Sequence, residues 1–416
     1  MVNVKIGVVG FGEFSVSHLN IFLKHPQVEL VVGAELDEDR RNTVSGEFGI
    51  KMYESFDQML EEDKDINSVG IFTPRHLHGP MIIKALKAGK NVISAVPMGC
   101  TREEIFEIVK LVKETGLTFA MAETCYYFPC AVWARKTRKN GGFGDVVYGE
   151  AQYYHDITEM LCAFESKAIA GIPPMFYGTH SAAMLMSAFG EKPVEVSCFG
   201  YRDKVGDDIY GEGINPWDNP FSNETAVIRF ESGALGRMNE FRRIGTTRPS
   251  SYITGIYGTK GAYEYSGNQH IFSKGHVYGQ QPQSFDVSDE VNTYTYVEEK
   301  DNLKNGEGRL EYKYHTGWSA VHNTERLPKE LIEFAEECRA KGELSDIGHN
   351  GSHFFTIDDF VQAVVQNKIP PINAWNSAYY TLAGIVAHES AMQNGKTLEI
   401  PDVGDMPLDK EVLDFD

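Results

Sequence analysis

Residues 4–15 read VKIGVVGFGEFS. Val4–Val9 is an almost unbroken apolar run, as expected of a parallel strand buried on both faces. The run stops at Gly10-Phe11-Gly12-Glu13-Phe14-Ser15, and a helical pattern follows. Gly10 permits a tight bend, and Gly12 lets the backbone approach a pyrophosphate. The helix behind them offers free N–H groups and its positive dipole end to the anion. Ser15 stands where a third glycine is usual, and a small residue still allows close helix packing. Glu35 ends the second apolar run, VELVVG at 28–33. A carboxylate there accepts hydrogen bonds from ribose hydroxyls and repels a 2′-phosphate, favouring NAD over NADP. Arg40 and Arg41 nearby offer a phosphate some charge, which tempers that preference. A bare G-x-G means little. Strand, glycine turn, helix and acid together specify a dinucleotide site.

Working outward, three more apolar runs alternate with helical segments: Ser68–Phe72, Asn91–Ala95 and Thr118–Ala122. Ser55–Gln58 and Thr101–Glu104 have the form of capping boxes that open two of the helices. Such alternation predicts a doubly wound parallel sheet over residues 1–125. From Asp145 the period changes to two, in VVYGEAQYY, VEVSCFGY, NETAVIRFE, ALGRMNEF, SYITGIYG and GAYEYS. This predicts an α+β domain over 126–416, with a large, mainly antiparallel open sheet. Asp286–Gly317 is polar and reads as a long loop or weak insertion. Ile357–Gln366 and Ala374–Asn394 read as two late helices.

The composition narrows the partners. A chain of 416 residues with 42% hydrophobic and 24% charged residues has the globular average and room for two cores. The formal net charge of −20 repels nucleic acids and anionic membranes, so neither is an expected partner. No apolar run approaches the ~20 residues of a membrane span. The opening MVNVKIGVVG enters a strand without a signal-peptide pattern, and a cytoplasmic location is expected. The cysteines are scattered without C-x-x-C or zinc-finger spacing, which predicts reduced thiols and no metal centre.

Thr73-Pro74-Arg75-His76-Leu77-His78 follows the third run, on the edge of the sheet where ligands lie. Thr73 and Pro74 are expected to face the cofactor, with His78 fixing the next helix. His76 and His78 lack the acidic or thiol neighbours of a metal pair.

The motifs GFGEFS, TPRHLHGPMIIKALKAGKNV and GTKGAYE resemble the Gfo/Idh/MocA family of NAD(P)-dependent sugar oxidoreductases. The resemblance runs nearly end to end. It implies a Rossmann domain followed by an α/β domain whose open sheet often joins subunits, here as a homodimer or homotetramer. It also implies an E-K-P motif after the fourth strand, and an Asp with a His four residues later. This chain has Ala95-Val96-Pro97 instead, placing Val96 and Pro97 beside the cofactor without the lysine. Phe176-Tyr177-Gly-Thr-His180 keeps the histidine but has phenylalanine in place of the acid. AVPMGCT, AETCYY, GEAQYYHD, FYGTHS and GHNGSH resemble, more narrowly, the NAD-dependent glycosidases related to α-N-acetylgalactosaminidase. That resemblance implies an acid/base histidine on a glycine-rich loop, His349.

These residues give three readings. The first is hydride transfer with NAD(H) at a hydroxyl carbon of a sugar or sugar derivative, His180 being the base and Tyr177 a second proton carrier. The second is a redox-neutral glycoside hydrolase, in which C3 is oxidised, C2 deprotonated, the aglycone expelled with help from His349, water added to the resulting enone, and the hydride returned. The third is a dinucleotide-binding sensor without catalysis. Glu123, Tyr126, His155 and Asp156 are expected to line the sugar cleft with Tyr177, His180 and His349. Tyr127 is a further candidate for that wall, as are Arg242 and Arg243.

Overall fold

The computed structural model describes residues 3–159, 167–245, 251–266, 269–275, 281, 283–291, 294–298, 310–314, 318–341 and 349–414. In the first half, β1 (Val4–Val9), β2 (Val28–Ala34), β3 (Lys51–Tyr53), β4 (Ser68–Ile71), β5 (Asn91–Ser94) and β6 (Phe119–Met121) form one sheet in the order β3-β2-β1-β4-β5-β6. Every pairing in it is parallel. The order reverses between β1 and β4, and the crevice beyond their carboxyl ends is where doubly wound sheets hold nucleotides. The sequence predicts five of these strands. The sixth, β3, is three residues long, too short to show a period.

Helices α1 (Glu13–Lys24), α2 (Glu38–Phe48), α3 (Phe56–Glu62), α4 (His78–Lys87) and α5 (Arg102–Thr115) connect the strands. Thr101 and Glu104 make the complete reciprocal box at the start of α5. Ser55 caps α3 by accepting from Gln58 N (3.1 Å), but the Gln58 side chain accepts from Glu54 N instead of Ser55 N, so that box is only half made.

The second half carries α6 (Pro129–Lys139), β7 (Val146–Tyr154), α7 (Lys167–Ala170), α8 (Thr179–Phe189), β8 (Pro193–Arg202), β9 (Phe221–Phe230), β10 (Leu235–Phe241), β11 (Ser251–Gly258), β12 (Gly261–Tyr265), β13 (His270–Lys274), β14 (Gln283–Asp286) and β17 (Leu398–Glu399). Among the described residues, nine strands form its large sheet in the order β14-β13-β12-β11-β7-β10-β9-β8-β17. All pairings are antiparallel except β7 with β10, which is parallel. Helix α8 packs on one face, where Gly149 leaves room for Phe189. The register places Phe199, Tyr201, Val227, Leu235 and Tyr257 together on the opposite face, and all are exposed.

The 286–317 stretch is not a plain loop. It holds α9 (Ser288–Val291) and a two-stranded antiparallel sheet, β15 (Tyr294–Glu298) with β16 (Leu310–Tyr314). Its tyrosines alternate with other residues, but charged neighbours mask the period. Residues 292–293, 299–309 and 315–317 of this stretch lie outside the described ones.

Three late helices complete the molecule: α10 (Lys329–Lys341), α11 (Ser352–Gln366) and α12 (Ala374–Met392). Helix α11 starts five residues earlier than the sequence suggests, after Gly351 in the left-handed region (φ 73°). Helices α10 and α11 return to pack on α1, while α12 packs on α5, α8 and β8. A buried network fastens α11. Arg326 bonds Asp358 (3.1 Å) and Asp359 (2.7 Å), His25 bonds Asp358 (3.2 Å), and the Tyr127 hydroxyl donates to Asp359. With both charges of each pair met by partners, burial is tolerated.

Candidate active site

The glycine turn has the shape an anion requires. Gly10 has φ +84°, and a Cβ there would lie 2.9 Å from Phe72 O. Only glycine meets both conditions. Gly12 caps α1 in extended conformation with no side-chain hydrogen bond, and a Cβ there would meet nothing within 4 Å. Ser15 N–H is bonded to Gly12 O (3.1 Å), which leaves the N–H groups of residues 13 and 14 for an anion. Phe11 is buried against the sheet, and its N–H donates to Glu35 Oε2 (3.0 Å). Asp37 N–H donates to Glu35 Oε1 (3.1 Å). The carboxylate is thus held at the end of β2. Arg41 is tied to the carbonyls of Glu35 and Leu36, and Arg40 faces Glu35 at 3.7 Å. These residues fit NAD. Gly10, Gly12 and the first turn of α1 would take the pyrophosphate and Glu35 the adenosine ribose. The Glu13 side chain lies outside the described residues.

Removing the Glu35 charge removes the repulsion of a 2′-phosphate and leaves Arg40 free to meet it. Glu35→Ser is expected to shift the ratio of NAD⁺ to NADP⁺ efficiency by about tenfold or more toward NADP⁺, within the range of one charge-assisted hydrogen bond. Initial rates with each coenzyme measure it. An unchanged ratio places the ribose elsewhere.

The turns after β4 and β5 are braced together. His78 Nε2 meets Thr73 O (2.7 Å) and Nδ1 meets Pro97 O (2.8 Å). Both ring nitrogens face carbonyls, a neutral imidazole donating to one of them, so His78 braces the turn at the start of α4, the part expected of it, rather than pointing a polar atom at a cofactor. Burial pushes this ring down to about 4, against the pull of the two carbonyls. Thr73 and Pro74 stay on the turn. Val96 is buried and joined to Pro97 by a cis peptide bond.

The imidazole of His180 lies at the first turn of α8. Its Nδ1 is 2.6 Å from Glu123 Oε1, and both side chains are buried. Glu123 Oε1 also accepts from Cys125 N (3.0 Å), while Oε2 is buried with no partner. Position 176 has no acid, and the carboxylate arrives from the loop after β6. The ring of Tyr153 lies 4.5 Å from that of His180, and the ring of Tyr177 4.7 Å. Cys125 completes a buried group whose ligand atoms lie within 4.8 Å of one another. The close Nδ1–Oε1 contact and a thiol pushed well above its ordinary range by burial make this a hydrogen-bonded pair beside a protonated cysteine.

His349 comes from the turn before α11. It sits in the left-handed region (φ 54°), and its carbonyl accepts from Ser352 Oγ (2.5 Å). Its ring packs edge-on to Phe14 (6.0 Å) and 4.8 Å from His353. Its Nδ1 is buried without a partner. Burial, and then the nearby His180, push the ring down to about 4, with Glu123 pulling the other way. His353 is bonded to Ser17 Oγ (3.1 Å) and lies 4.3 Å from His18. No motif singles out His18 or His353. Only the return of α11 onto α1 brings them behind the His349 loop. Gly348 and the Asn350 side chain lie outside the described residues.

The structure thus gathers Glu123, Tyr177, His180 and His349. His155 is attached to the group through Tyr153 OH (2.8 Å). Asp156 is engaged locally: its oxygens accept from Thr158 N and Oγ1 and from Ile244 N. That is a strand-end turn rather than a sugar contact. Tyr126 lies under the Arg135 guanidinium (3.8 Å), packed against α6. The five described cysteines are buried and form no disulfide with one another. Cys162 lies outside the described residues.

Residues 4–123 match the description "Oxidoreductase family, NAD-binding Rossmann fold", and residues 136–400 match "Oxidoreductase family, C-terminal alpha/beta domain". The chain belongs to the Gfo/Idh/MocA oxidoreductase family. Among relatives, a glycosyl hydrolase family 109 protein of Saccharopolyspora erythraea is 26% identical over 288 residues, covering 63% of this chain and 62% of its own length. The shared region is thus under two thirds of that relative. Levoglucosan dehydrogenase of Pseudarthrobacter phenanthrenivorans is 26% identical over 291 residues, covering 63% of this chain and 73% of its own. A solved levoglucosan dehydrogenase in complex with NADH and L-sorbose superimposes with a TM-score of 0.69 at 19% identity, covering 97% of this chain and all of that one. Both members of the resemblance drawn from the motifs, dehydrogenase and glycosidase, are therefore represented among the relatives of this Gfo/Idh/MocA chain.

Proposed function

We propose that the protein uses NAD(H) for hydride transfer at a hydroxyl carbon of a sugar or sugar derivative, with His180 as the base. One observation carries this reading: the buried Glu123–His180 pair at 2.6 Å. A carboxylate on Nδ1 fixes the tautomer with the proton there, so the lone pair is on Nε2. That nitrogen takes the hydroxyl proton, and Glu123 steadies the imidazolium that results. NAD, when bound, accepts the hydride from the same carbon. The pair supplies what an amine at position 96 would otherwise supply. The rings of Tyr153 and Tyr177 shield it from water, and Tyr177 offers a second hydroxyl.

His349 favours a second reading, the redox-neutral glycosidase. It puts another proton-handling ring near the first, and relatives named glycosyl hydrolase family 109 proteins support it. Its burial alters the assignment made from sequence. A ring held near 4 is neutral at pH 7, so His349 enters as a proton acceptor suited to the C2 hydrogen. The leaving group then draws its proton from Tyr177 or water. The intact dyad weighs against a sensor without chemistry.

We also infer that residues 1–125 serve the coenzyme and 126–416 the substrate and assembly. A homodimer or homotetramer would cover the exposed Phe199, Tyr201, Val227, Leu235 and Tyr257. No helix among the described residues is long and apolar enough to cross a membrane. We assign the protein to the cytoplasm, with neither nucleic acid nor membrane as partner.

Incubation with free sugars plus NAD⁺, and with nitrophenyl glycosides, separates the readings. Stoichiometric NADH is the expected result for the first. Aglycone release without NADH supports the second. Tight NAD binding with neither product returns the sensor.

A further inference from the structure

Three arginines surround the cleft above His180, and their pairing differs. The Arg242 guanidinium lies 5.2 Å from the rings of both Tyr153 and Tyr177, and it is matched by the buried Glu240 (3.4 Å). Arg243 is matched by Asp203 (3.0 Å) and Asp207. Arg75, from the turn after β4, stacks on the Tyr177 ring at 3.9 Å and is only half-buried. Its guanidinium has no carboxylate or carbonyl partner among the described residues. A second group nearby is also unsatisfied. The Tyr210 hydroxyl is buried without a hydrogen bond, and Arg243 lies 5.5 Å from its ring. Burial pushes this hydroxyl up; Arg242 and Arg243 pull it down, Asp203 pushes it up, and Arg75 pulls it down.

A guanidinium held on an aromatic face, with its five donors unused, is arranged to pair with two oxygens of one anion. A buried O–H without an acceptor asks for the same complement. Tyr177 touches both Arg75 and His180, so an anion at Arg75 and a hydroxyl at His180 fall about one sugar ring apart.

We propose that the substrate carries an anionic group, a carboxylate or a phosphate, bound by Arg75 with Tyr210 as a second donor. The site then takes an acidic sugar, a uronate or a sugar phosphate, in preference to its neutral counterpart. This inference rests on the cleft being the sugar site proposed above.

Calorimetric titration of the whole protein loaded with NADH tests it without turnover. The ligands are D-glucuronate, D-galacturonate, D-glucose 6-phosphate and D-glucose. At least one acid is expected to bind about tenfold or more tighter than glucose. Whether a uronate or the phosphate binds best identifies the anion. Arg75→Gln should bring the acid-to-neutral ratio down about 10- to 100-fold, the worth of a charge-assisted pair. Arg75→Lys should retain part of it, since an ammonium keeps the charge but not the fork. Tyr210→Phe should lower it less, and this change also serves if Arg75→Gln does not fold. Failure of all three acids to bind, or an acid preference that survives Arg75→Gln, overturns the proposal. A loss confined to NADH affinity overturns it too, because Arg75 would then serve the coenzyme phosphates. Acid binding that depends on Arg75 but leads to no hydride transfer upholds this inference and removes the redox reading instead.

Discussion

Replacing Glu123 by glutamine is expected to slow hydride transfer about a hundred- to ten-thousand-fold, with coenzyme binding intact and the fold no less stable. The amide has the shape of the carboxylate, so Cys125 N keeps an acceptor. It lacks the charge that fixes the proton on His180 Nδ1 and steadies the imidazolium. General-base catalysis alone accounts for factors of this size. Stability should not suffer, because Glu123 Oε2 is buried without a partner and the charge is costly where it sits. The two readouts therefore separate: single-turnover NADH formation falls, while the melting temperature holds or rises. Nothing in the coenzyme cradle touches Glu123, so NAD titration should be unchanged. Full activity in Glu123→Gln would mean that a group other than His180 takes the proton.

Acid should unfold the protein well above the range in which carboxylates titrate. His18 is pushed down to about 3, and His78, His322 and His349 to about 4, in each case chiefly by burial. His353 moves in the same direction. A released imidazole titrates near 6.5. The unfolded chain thus binds more protons in acid. The contribution to stability is complete above pH 6.5 and is lost as pH falls toward the folded values. A shift from 6.5 to about 4 corresponds to about 3 kcal/mol per ring below pH 4. Three such rings rival the ~5–15 kcal/mol that holds a typical domain together. Melting curves should fall steeply between pH 6.5 and 4. His322 provides the control, being bonded to Tyr127 O (2.7 Å) away from the proposed base. His322→Gln should reduce the slope by about one proton. A melting temperature that stays level down to pH 4 would mean that these rings are already charged in the folded state.

The coenzyme half was readable because its signals are local. Gly10, Gly12 and Glu35 each follow a strand that its own composition marks, and a turn needs no distant partner to declare itself. The alternating strands were readable for the same reason. The reactive half depends on contacts that no spacing reveals. Glu123 lies 57 residues from His180 along the chain and reaches it only because the turn after β6, Thr124–Tyr127, packs on α8. The resemblance points to position 176 for an acid, and Phe176 there suggests a broken site. The fold supplies the acid from elsewhere. Asp156 misled in the opposite sense: beside His155 it reads as a sugar ligand, but Thr158 and Ile244 take its oxygens. The burial that holds His349 neutral is likewise invisible to a glycine-rich motif, which suggests only a mobile loop.

The return of α11 onto α1 has a consequence for how this chain can be altered. Ser17 and His25, on or just past α1, are bonded to His353 and Asp358, more than three hundred positions downstream. The nucleotide-binding segment is therefore no interchangeable cassette. Grafted onto a relative's remainder, it would lose its own closing piece, and the loop presenting His349 would be mounted on a foreign surface. Descent with modification in such a scaffold has to proceed by changes matched at both ends of the polypeptide.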